Sequence, residues 1–321
     1  MTPDFVRTPD ANFADLPGFP FLPHYLDWKG LRIHYLDEGP ADGPVALLMH
    51  GEPTWSYLYR KIIPRLTAAG FRCIAPDYVG FGRSDKVIDD SWYVIERHCE
   101  SMRHLIDALD LSDIMLIVQD WGGPIGLRQA VDQPDRFARL VILNTWLHHD
   151  DYAYSPATQA WREISTNPLW LLWVKGQFPA GPMMDMAVGK PMDFAALASG
   201  AAGARFSDAV SPIERAYEAP FTDGGISRAG PRRFPWLLPF AQPDEGNARD
   251  QARCFEALKQ WNKPAHFIFG ADDGAFTPAW GRRWASLVPQ ATFDEIAGAG
   301  HFVQEDAPDK LVGILLSRIA A

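Results

Sequence analysis

Asp120 carries the strongest chemical signal in this chain of 321 residues. It follows the apolar run Ile114–Val118 and Gln119, and Trp121-Gly122-Gly123 and a helical pattern come directly after it. A strand, a sharp turn and a helix form the elbow on which many enzymes expose a nucleophile, usually the serine of Gly-x-Ser-x-Gly. An aspartate stands here instead, which predicts a carboxylate nucleophile. Taken alone, the pattern fits equally well an aspartate that only caps the helix.

Three further segments follow predicted strands and could complete such a site. HGEP (50–53) can offer a backbone N–H to an oxyanion, with Trp121 supplying a second one. His301, flanked by small residues, can act as a general base near neutral pH. Asp272 or Asp273 can orient that histidine. Each segment alone could be an ordinary turn or loop, but together they give the order nucleophile, acid and histidine, which is a specific combination.

Short apolar runs alternate with helical patterns along most of the chain. The runs are Val45–Met49, Cys73–Ala75, Ile114–Val118, Leu140–Leu143, Ala265–Phe269 and Thr292–Ile296. Helical patterns lie at Tyr57–Ala69 and Val94–Leu109, and Tyr25–Trp28 with Leu31–Leu36 is typical of a hairpin. Runs that are apolar on both faces indicate a mostly parallel, twisted sheet flanked by helices. Together with the elbow, this alternation predicts an α/β-hydrolase fold.

The alternation stops after Trp146 and resumes near Phe267. Residues 148–218 contain no clear strand and are rich in Ala, Met, Trp and Pro. An insertion between two strands would lie over the carboxyl ends of the sheet, where open α/β sheets bind ligands. We therefore predict a core domain of residues 1–147 and 219–321, with a helical cap domain of residues 148–218.

Composition narrows the range of partners. A net charge of −10 argues against nucleic acid and anionic membranes as partners and mildly against an anionic substrate. The three cysteines are far apart, which favours free thiols in a reducing compartment. The N-terminus lacks the pattern of a signal peptide, and no apolar run has the length of a membrane span. We expect a cytoplasmic monomer that binds no metal.

Six motifs of this chain resemble those of the haloalkane dehalogenases. They are HGEPTWSYLYRK (50–61), APDYVGFGRSDK (75–86), VQDWGG (118–123), YEAPF (217–221), GADD (270–273) and GHFVQED (300–306). The likeness extends over nearly the whole chain and is weakest in the cap. It implies hydrolysis of small neutral haloalkanes to an alcohol, a halide ion and a proton through an alkyl-aspartate ester. It implies no cofactor.

The resemblance also implies a role for each matching residue. Asp120 matches the nucleophile and His301 the base. Trp121 matches an indole that binds halide, and the backbone N–H groups of Glu52 and Trp121 match the oxyanion hole. Pocket-lining positions are matched by Pro124, Phe221 and Phe276.

The position of the triad acid differs between branches of that family. Some branches carry it after the strand that here ends at Leu143, where this chain has Asn144, which cannot be a carboxylate. The acid should therefore follow Gly270, and the family pattern favours Asp273 over Asp272.

The second halide donor differs between branches as well. Some branches use an Asn where this chain has Glu52, and an ionised glutamate cannot donate a hydrogen bond. The resemblance then favours a cap tryptophan, and Trp161 matches by its spacing from Asp120. Trp170 and Trp173 are interpreted as packing residues.

Two other functions remain open from the sequence. An epoxide hydrolase shares the Asp nucleophile and His base but needs acids in the cap, usually two tyrosines, for which Tyr152, Tyr154 and Tyr217 are the candidates. A catalytically silent protein of the hydrolase fold that only binds a small hydrophobic ligand is the second.

Overall fold

The computed structural model describes residues 2–166, 212–221, 225–239 and 247–320. One large sheet lies at the centre of their fold. The strands are β1 (Phe5–Val6), β2 (His24–Trp28), β3 (Leu31–Glu38), β4 (Val45–Met49), β5 (Arg72–Pro76), β6 (Lys86–Val87), β7 (Ile114–Gln119), β8 (Phe137–Leu143), β9 (Ala265–Gly270) and β10 (Ala291–Ile296). Eight of them pair in the order β10-β9-β8-β7-β4-β5-β3-β2, while β1 and β6 pair separately. The pairs from β10 to β5 are parallel, and β3 and β2 form an antiparallel edge. The predicted mostly parallel sheet is confirmed.

Helices connect the parallel strands and pack against the sheet. The α-helices of the described residues are α1 (Ile63–Ala68), α2 (Ile95–Ala108), α3 (Gly122–Asp132), α4 (Pro156–Ser165), α5 (Pro212–Glu218), α6 (Ala229–Arg233), α7 (Ala248–Leu258), α8 (Pro278–Ala285), α9 (Val303–Asp306) and α10 (Pro308–Ala320). Every residue of β4, β7 and β9 is buried, because helices cover both faces of a parallel sheet. None of these helices is long and apolar enough to cross a membrane.

The predicted helix Tyr57–Ala69 is wrong as a single element. The segment contains a 3-10 turn, Ser56–Tyr59, and only then the short helix α1. Pro64 lies in the first turn of α1, where its missing N–H needs no partner. A continuous helix through this position would lose a hydrogen bond and clash with the preceding turn, which explains the break.

The hairpin and the strand runs lie where the sequence predicts them, with one to three residues added at some ends. The helix predicted at Val94–Leu109 is α2, and its buried residues Ile95, Cys99, Met102 and Ile106 recur at the spacing of one helical face.

The predicted cap interval, 148–218, contributes α4 and α5 to the described residues. Trp170 and Trp173 lie outside the described residues.

Candidate active site

Asp120 occupies the turn between β7 and α3 with a φ of +51°. This left-handed conformation is unusual for a residue with a side chain and marks a sharp elbow that the surrounding structure holds in place. Gly122 makes the elbow possible, because a Cβ atom there would lie 2.2 Å from the Met49 carbonyl oxygen. The amide of Asp120 donates to the Asn144 carbonyl at 3.0 Å, which joins the turn to the end of β8.

The loop after β4 contacts the carboxylate of Asp120. The Glu52 amide donates to Asp120 Oδ1 at 2.8 Å, and the Trp121 amide also donates to this carboxylate. A Cβ atom at Gly51 would lie 2.2 Å from Asp120 Oδ1, so only glycine lets the loop approach this closely. The two backbone N–H groups that sequence analysis assigned to an oxyanion hole therefore flank the predicted nucleophile.

His301 lies between two carboxylates. Its Nδ1 is 2.9 Å from Asp273 Oδ2, and its Nε2 is 3.8 Å from Asp120 Oδ2. Asp273 is 5% exposed, whereas its neighbour Asp272 is an exposed residue. Of the two candidate acids, the structure thus places Asp273 on the histidine, where Nδ1–H can donate to it and Nε2 is the nitrogen left to take a proton.

Asn144 is a site residue whose contact sequence analysis missed. Its Nδ2 donates to Asp273 Oδ2 at 2.8 Å, and its Oδ1 accepts from the Gly270 amide at 2.9 Å. The amides of Ala275 and Phe276 donate to the other oxygen of Asp273. Sequence analysis noted only that Asn144 cannot be the triad acid. Its position at the end of β8, which pairs with β9, was a usable signal that it lies near the acid after β9.

Gln119 is a second residue whose role was missed. Its side-chain Nε2 is 3.1 Å from His301 Nε2 and donates to the His301 carbonyl oxygen at 3.2 Å. Gln119 and His301 are 182 positions apart in the chain, so only the fold brings them together.

A cavity of about 410 Å³ opens beside these groups. Its described lining is Glu52, Pro53, Asp120, Trp121, Ala157, Thr158, Trp161, Leu238, Asp272, Asp273, Gly274, Ala275, Phe276, Gly298, Gly300, His301, Phe302 and Asp306. The predicted residues Trp121, Trp161 and Phe276 are among them. Pro124 and Phe221 are not: Pro124 is buried in the first turn of α3, and the Phe221 ring packs under the Arg228 guanidinium.

Trp121 and Phe276 form one apolar wall of the cavity through a shared neighbour. Trp146 meets the Trp121 ring edge-on at 4.8 Å and stacks on Phe276 at 4.6 Å. The Phe276 ring also lies 5.5 Å from the ring of His301. Trp161 reaches the cavity from α4 and is half-buried.

Comparison with known proteins identifies the family. A family model described as alpha/beta hydrolase fold matches residues 44–170. A haloalkane dehalogenase of Psychrobacter cryohalolentis is 40% identical over 98% of this chain and 97% of its own length. A second, from Mycolicibacterium paratuberculosis, is 40% identical over 97% of both chains. The chain belongs to the haloalkane dehalogenase family.

Dehalogenases of this family are hydrolases that act on carbon–halogen bonds. The haloalkane dehalogenase of Paraglaciecola agarilytica, whose solved structure is tetrameric, superposes with a TM-score of 0.83 at 33% identity. That superposition covers 98% of each chain. The α/β-hydrolase fold predicted from the sequence is confirmed.

Burial and neighbouring charges shift the pKa values of Asp120 and His301 in this dehalogenase. Burial raises the pKa of Asp120 from 3.8 to about 6, against the lowering effects of His301 and of the backbone N–H groups of Trp121 and Glu52. For His301, burial by itself lowers the pKa, but the carboxylates of Asp273 and Asp120 raise it above its usual value. Each member of the pair therefore stabilises the charge on the other in a site that penalises charge.

Glu52 differs from the sequence expectation. Its side chain is 6% exposed, and its Oε1 is buried without a hydrogen-bond partner. Burial, and then the charge of Asp120, raise its pKa well above the usual value. This raised pKa runs against the premise that Glu52 is ionised and cannot donate, because burial beside a carboxylate favours the protonated form of a carboxyl group. Chain position alone does not reveal this.

Proposed function

We propose that this dehalogenase hydrolyses small neutral haloalkanes through a covalent ester on Asp120. The observation that carries the proposal is a buried carboxylate on a sharp elbow that faces a His301–Asp273 pair inside a partly apolar cavity. The acidic lining of the cavity disfavours an anionic substrate, because a second negative charge in this space would be repelled. A neutral molecule with a polar carbon–halogen bond fits both the partly apolar surface and the acidic lining of the cavity.

In the first step, a carboxylate oxygen of Asp120 attacks the carbon that bears the halogen. The new C–O bond forms as the carbon–halogen bond breaks, and the halogen leaves as halide with the bonding electrons. Only the ionised carboxylate can attack. The pKa of about 6 therefore predicts that this step slows as the pH falls below that value.

The leaving halide needs hydrogen-bond donors because it gains a full negative charge in a desolvated cavity. We assign the indole N–H groups of Trp121 and Trp161 to this role, and both residues line the cavity. Glu52 is a rival to Trp161 as the second donor, because it lines the same space and its raised pKa favours a protonated carboxyl, which can donate.

In the second step, His301 Nε2 takes a proton from water, and the water oxygen attacks the ester carbonyl of Asp120. In this proposal the backbone N–H groups of Glu52 and Trp121, which donate to the Asp120 carboxylate, stabilise the oxyanion that forms there. Asp273 stabilises the resulting imidazolium through its bond to Nδ1. The products are the alcohol, free Asp120 carboxylate and a proton that His301 releases to solvent.

The epoxide hydrolase alternative lacks its acids in the described part of the site. No tyrosine is among the described residues that line the cavity. The Tyr217 hydroxyl donates to Glu305 Oε1 at 2.6 Å, and the Tyr154 hydroxyl is 3.2 Å from His148 Nδ1. These contacts favour a leaving group that is stabilised by indoles over one that is protonated by phenols.

We further propose that residues 148–218 act as a cap over this core. Ala157, Thr158 and Trp161 of α4 line the cavity together with Asp120 and His301, which supports that arrangement. The relative from Paraglaciecola agarilytica is tetrameric. Sedimentation velocity distinguishes that state from the monomer predicted for this chain.

The decisive test is halide release from chloro-, bromo- and iodoalkanes of varied length, with Asp120→Ala as control. We expect release by the native enzyme and none by Asp120→Ala, because no neighbouring group replaces the nucleophile. Styrene oxide serves as the competing substrate. Turnover of the epoxide without any halide release would refute the proposal. Binding of haloalkanes without turnover would point to the silent ligand-binding alternative.

A further inference from the structure

The Gln119 amide is aimed at the nitrogen of His301 that must accept the proton. Gln119 is completely buried at the end of β7, directly before the nucleophile. Its Nε2 is shared between His301 Nε2 at 3.1 Å and the His301 carbonyl oxygen at 3.2 Å. An amide N–H that points at Nε2 requires the lone pair of a neutral imidazole. In that neutral ring the proton is on Nδ1, which donates to Asp273.

The other end of the same amide is unsatisfied. Gln119 Oε1 is buried and has no hydrogen-bond partner. A buried carbonyl oxygen without a partner is costly, which makes it a feature that needs an explanation. Half a turn about the Cγ–Cδ bond would exchange the amide oxygen and nitrogen at nearly the same positions. Oε1 would then face His301 Nε2, and it could accept a hydrogen bond if that nitrogen carried a proton.

We propose that Gln119 is a positioning residue that serves both protonation states of His301, by donating to the neutral imidazole and accepting from the imidazolium after this rotation. The inference rests on the proposed function, in which His301 Nε2 takes a proton from the attacking water. The rotation gives up the bond to the His301 carbonyl oxygen and brings Oε1 to the place near that oxygen that Nε2 now occupies. In return the amide gains a bond to a cation, and because bonds to charged groups are the stronger ones, we infer that the exchange favours the imidazolium as it forms.

The inference separates the two chemical steps. Attack by Asp120 on the haloalkane needs no proton transfer, so it does not depend on the amide. Hydrolysis of the ester creates the imidazolium and does depend on it. Gln119→Met keeps the length of the side chain and removes both polar ends. We expect alkylation close to the native rate and ester hydrolysis slower by about 10- to 100-fold, which is typical of a lost hydrogen bond to a charged group.

The dependence of ester hydrolysis on pH gives a readout that a purely structural role would not move. The ionisable groups that act on His301 are Asp120 from the elbow, Asp273 after β9 and Asp306 on α9, with Glu52 lining the same cavity. None of them is changed by a substitution at Gln119. Gln119→Met should move the acid-side midpoint of hydrolysis to lower pH, because the imidazolium loses an acceptor. Gln119→Glu should move it to higher pH, because a carboxylate favours the imidazolium.

The experiment is a rapid-quench single turnover with bromobutane, in which intact mass follows the alkylated enzyme over time and over pH. Gln129→Met is a matched control, since Gln129 is also buried but bonds to the Cys99 and Ile125 carbonyls instead. We expect the control to keep the native profile in both steps.

Three outcomes would each overturn the inference and leave the proposed function standing. They are ester hydrolysis at the native rate in Gln119→Met, an equal loss of rate in alkylation and hydrolysis, and pH midpoints that move in the same direction in the Met and Glu variants. If Gln119→Met does not fold, the test rests on Gln119→Glu, for which we expect the pH midpoint of ester hydrolysis to rise. A midpoint that is unchanged or lower in Gln119→Glu overturns the inference. Absence of any alkylated form, in native enzyme and in His301→Gln alike, would overturn the proposed function and this inference with it.

Discussion

Replacing Asp120 by Asn should stabilise the protein while it abolishes turnover. The pKa of Asp120 is raised from 3.8 to about 6 by burial. Between these two values the folded chain binds more protons than the unfolded chain, so its stability falls as the pH rises through that window. The raised value corresponds to roughly 3 kcal/mol of stability lost at and above neutral pH. Asn has no charge to bury and still accepts from the backbone N–H groups.

Urea unfolding of native and Asp120→Asn protein at about pH 8 and about pH 4 measures this effect. We expect the variant to exceed the native protein by up to about 3 kcal/mol at the higher pH, and the difference to shrink towards the lower pH. Intact mass must show that the amide persists, because His301 faces position 120 and could activate water against it. A variant that is equally stable or less stable at the higher pH would refute the reasoning.

Asp77→Asn is the matched control with the opposite sign. Asp77 is also buried, and burial alone would raise its pKa, but His34 and the Ser56 amide hold its pKa well below the usual range. A buried carboxylate with partners stabilises the fold at neutral pH, so its removal should cost about 3–5 kcal/mol. Stabilisation by both Asn substitutions would show that burial, and not the balance of partners, sets the sign.

Three further predictions concern the chemical steps. His301→Gln should trap the alkylated enzyme, because displacement needs only Asp120, and intact mass should rise by one alkyl group; full inactivity with an unmodified mass would place His301 earlier in the reaction. Trp161→Phe should weaken halide binding and slow alkylation by about 1–3 kcal/mol, measured by quenching of tryptophan fluorescence and by halide bursts, whereas Trp170→Phe and Trp173→Phe should do neither. If Trp161→Phe kept its halide affinity and Glu52→Leu lost it, the second donor would be Glu52. Asp273→Asn should slow ester hydrolysis by about 100-fold or more, and an equal loss in Asp272→Asn would contradict the choice of acid.

The sequence by itself predicted where most of the strands lie, and it supplied the candidates for the side chains that carry the chemistry. Asp120 could be found because its signal is local: a run of buried residues, Ile114–Gln119, ends at a turn whose glycines permit a sharp bend. The chain order of nucleophile, acid and histidine can also be read directly from the sequence, whereas the choice of Asp273 over Asp272 came from the family resemblance. The residues that line the cavity were harder to predict from the sequence. Pro124 is not among the described lining residues because it is buried in the first turn of α3, and Phe221 is not among them because its ring packs under Arg228.

Only the tertiary structure decided the electrostatic surroundings of the site and the supporting contacts. The raised pKa of Glu52 depends on its burial beside Asp120, which is 68 positions away, and no local pattern encodes desolvation. Asn144 follows one strand and Gln119 ends another, but neither position shows in sequence that one amide holds Asp273 and the other faces His301. A side chain acquires such a role from the groups that surround it, and these arrive from strands and loops more than a hundred residues away. The sequence therefore predicts the reacting groups, and the fold sets the burial and the contacts that shift their pKa values.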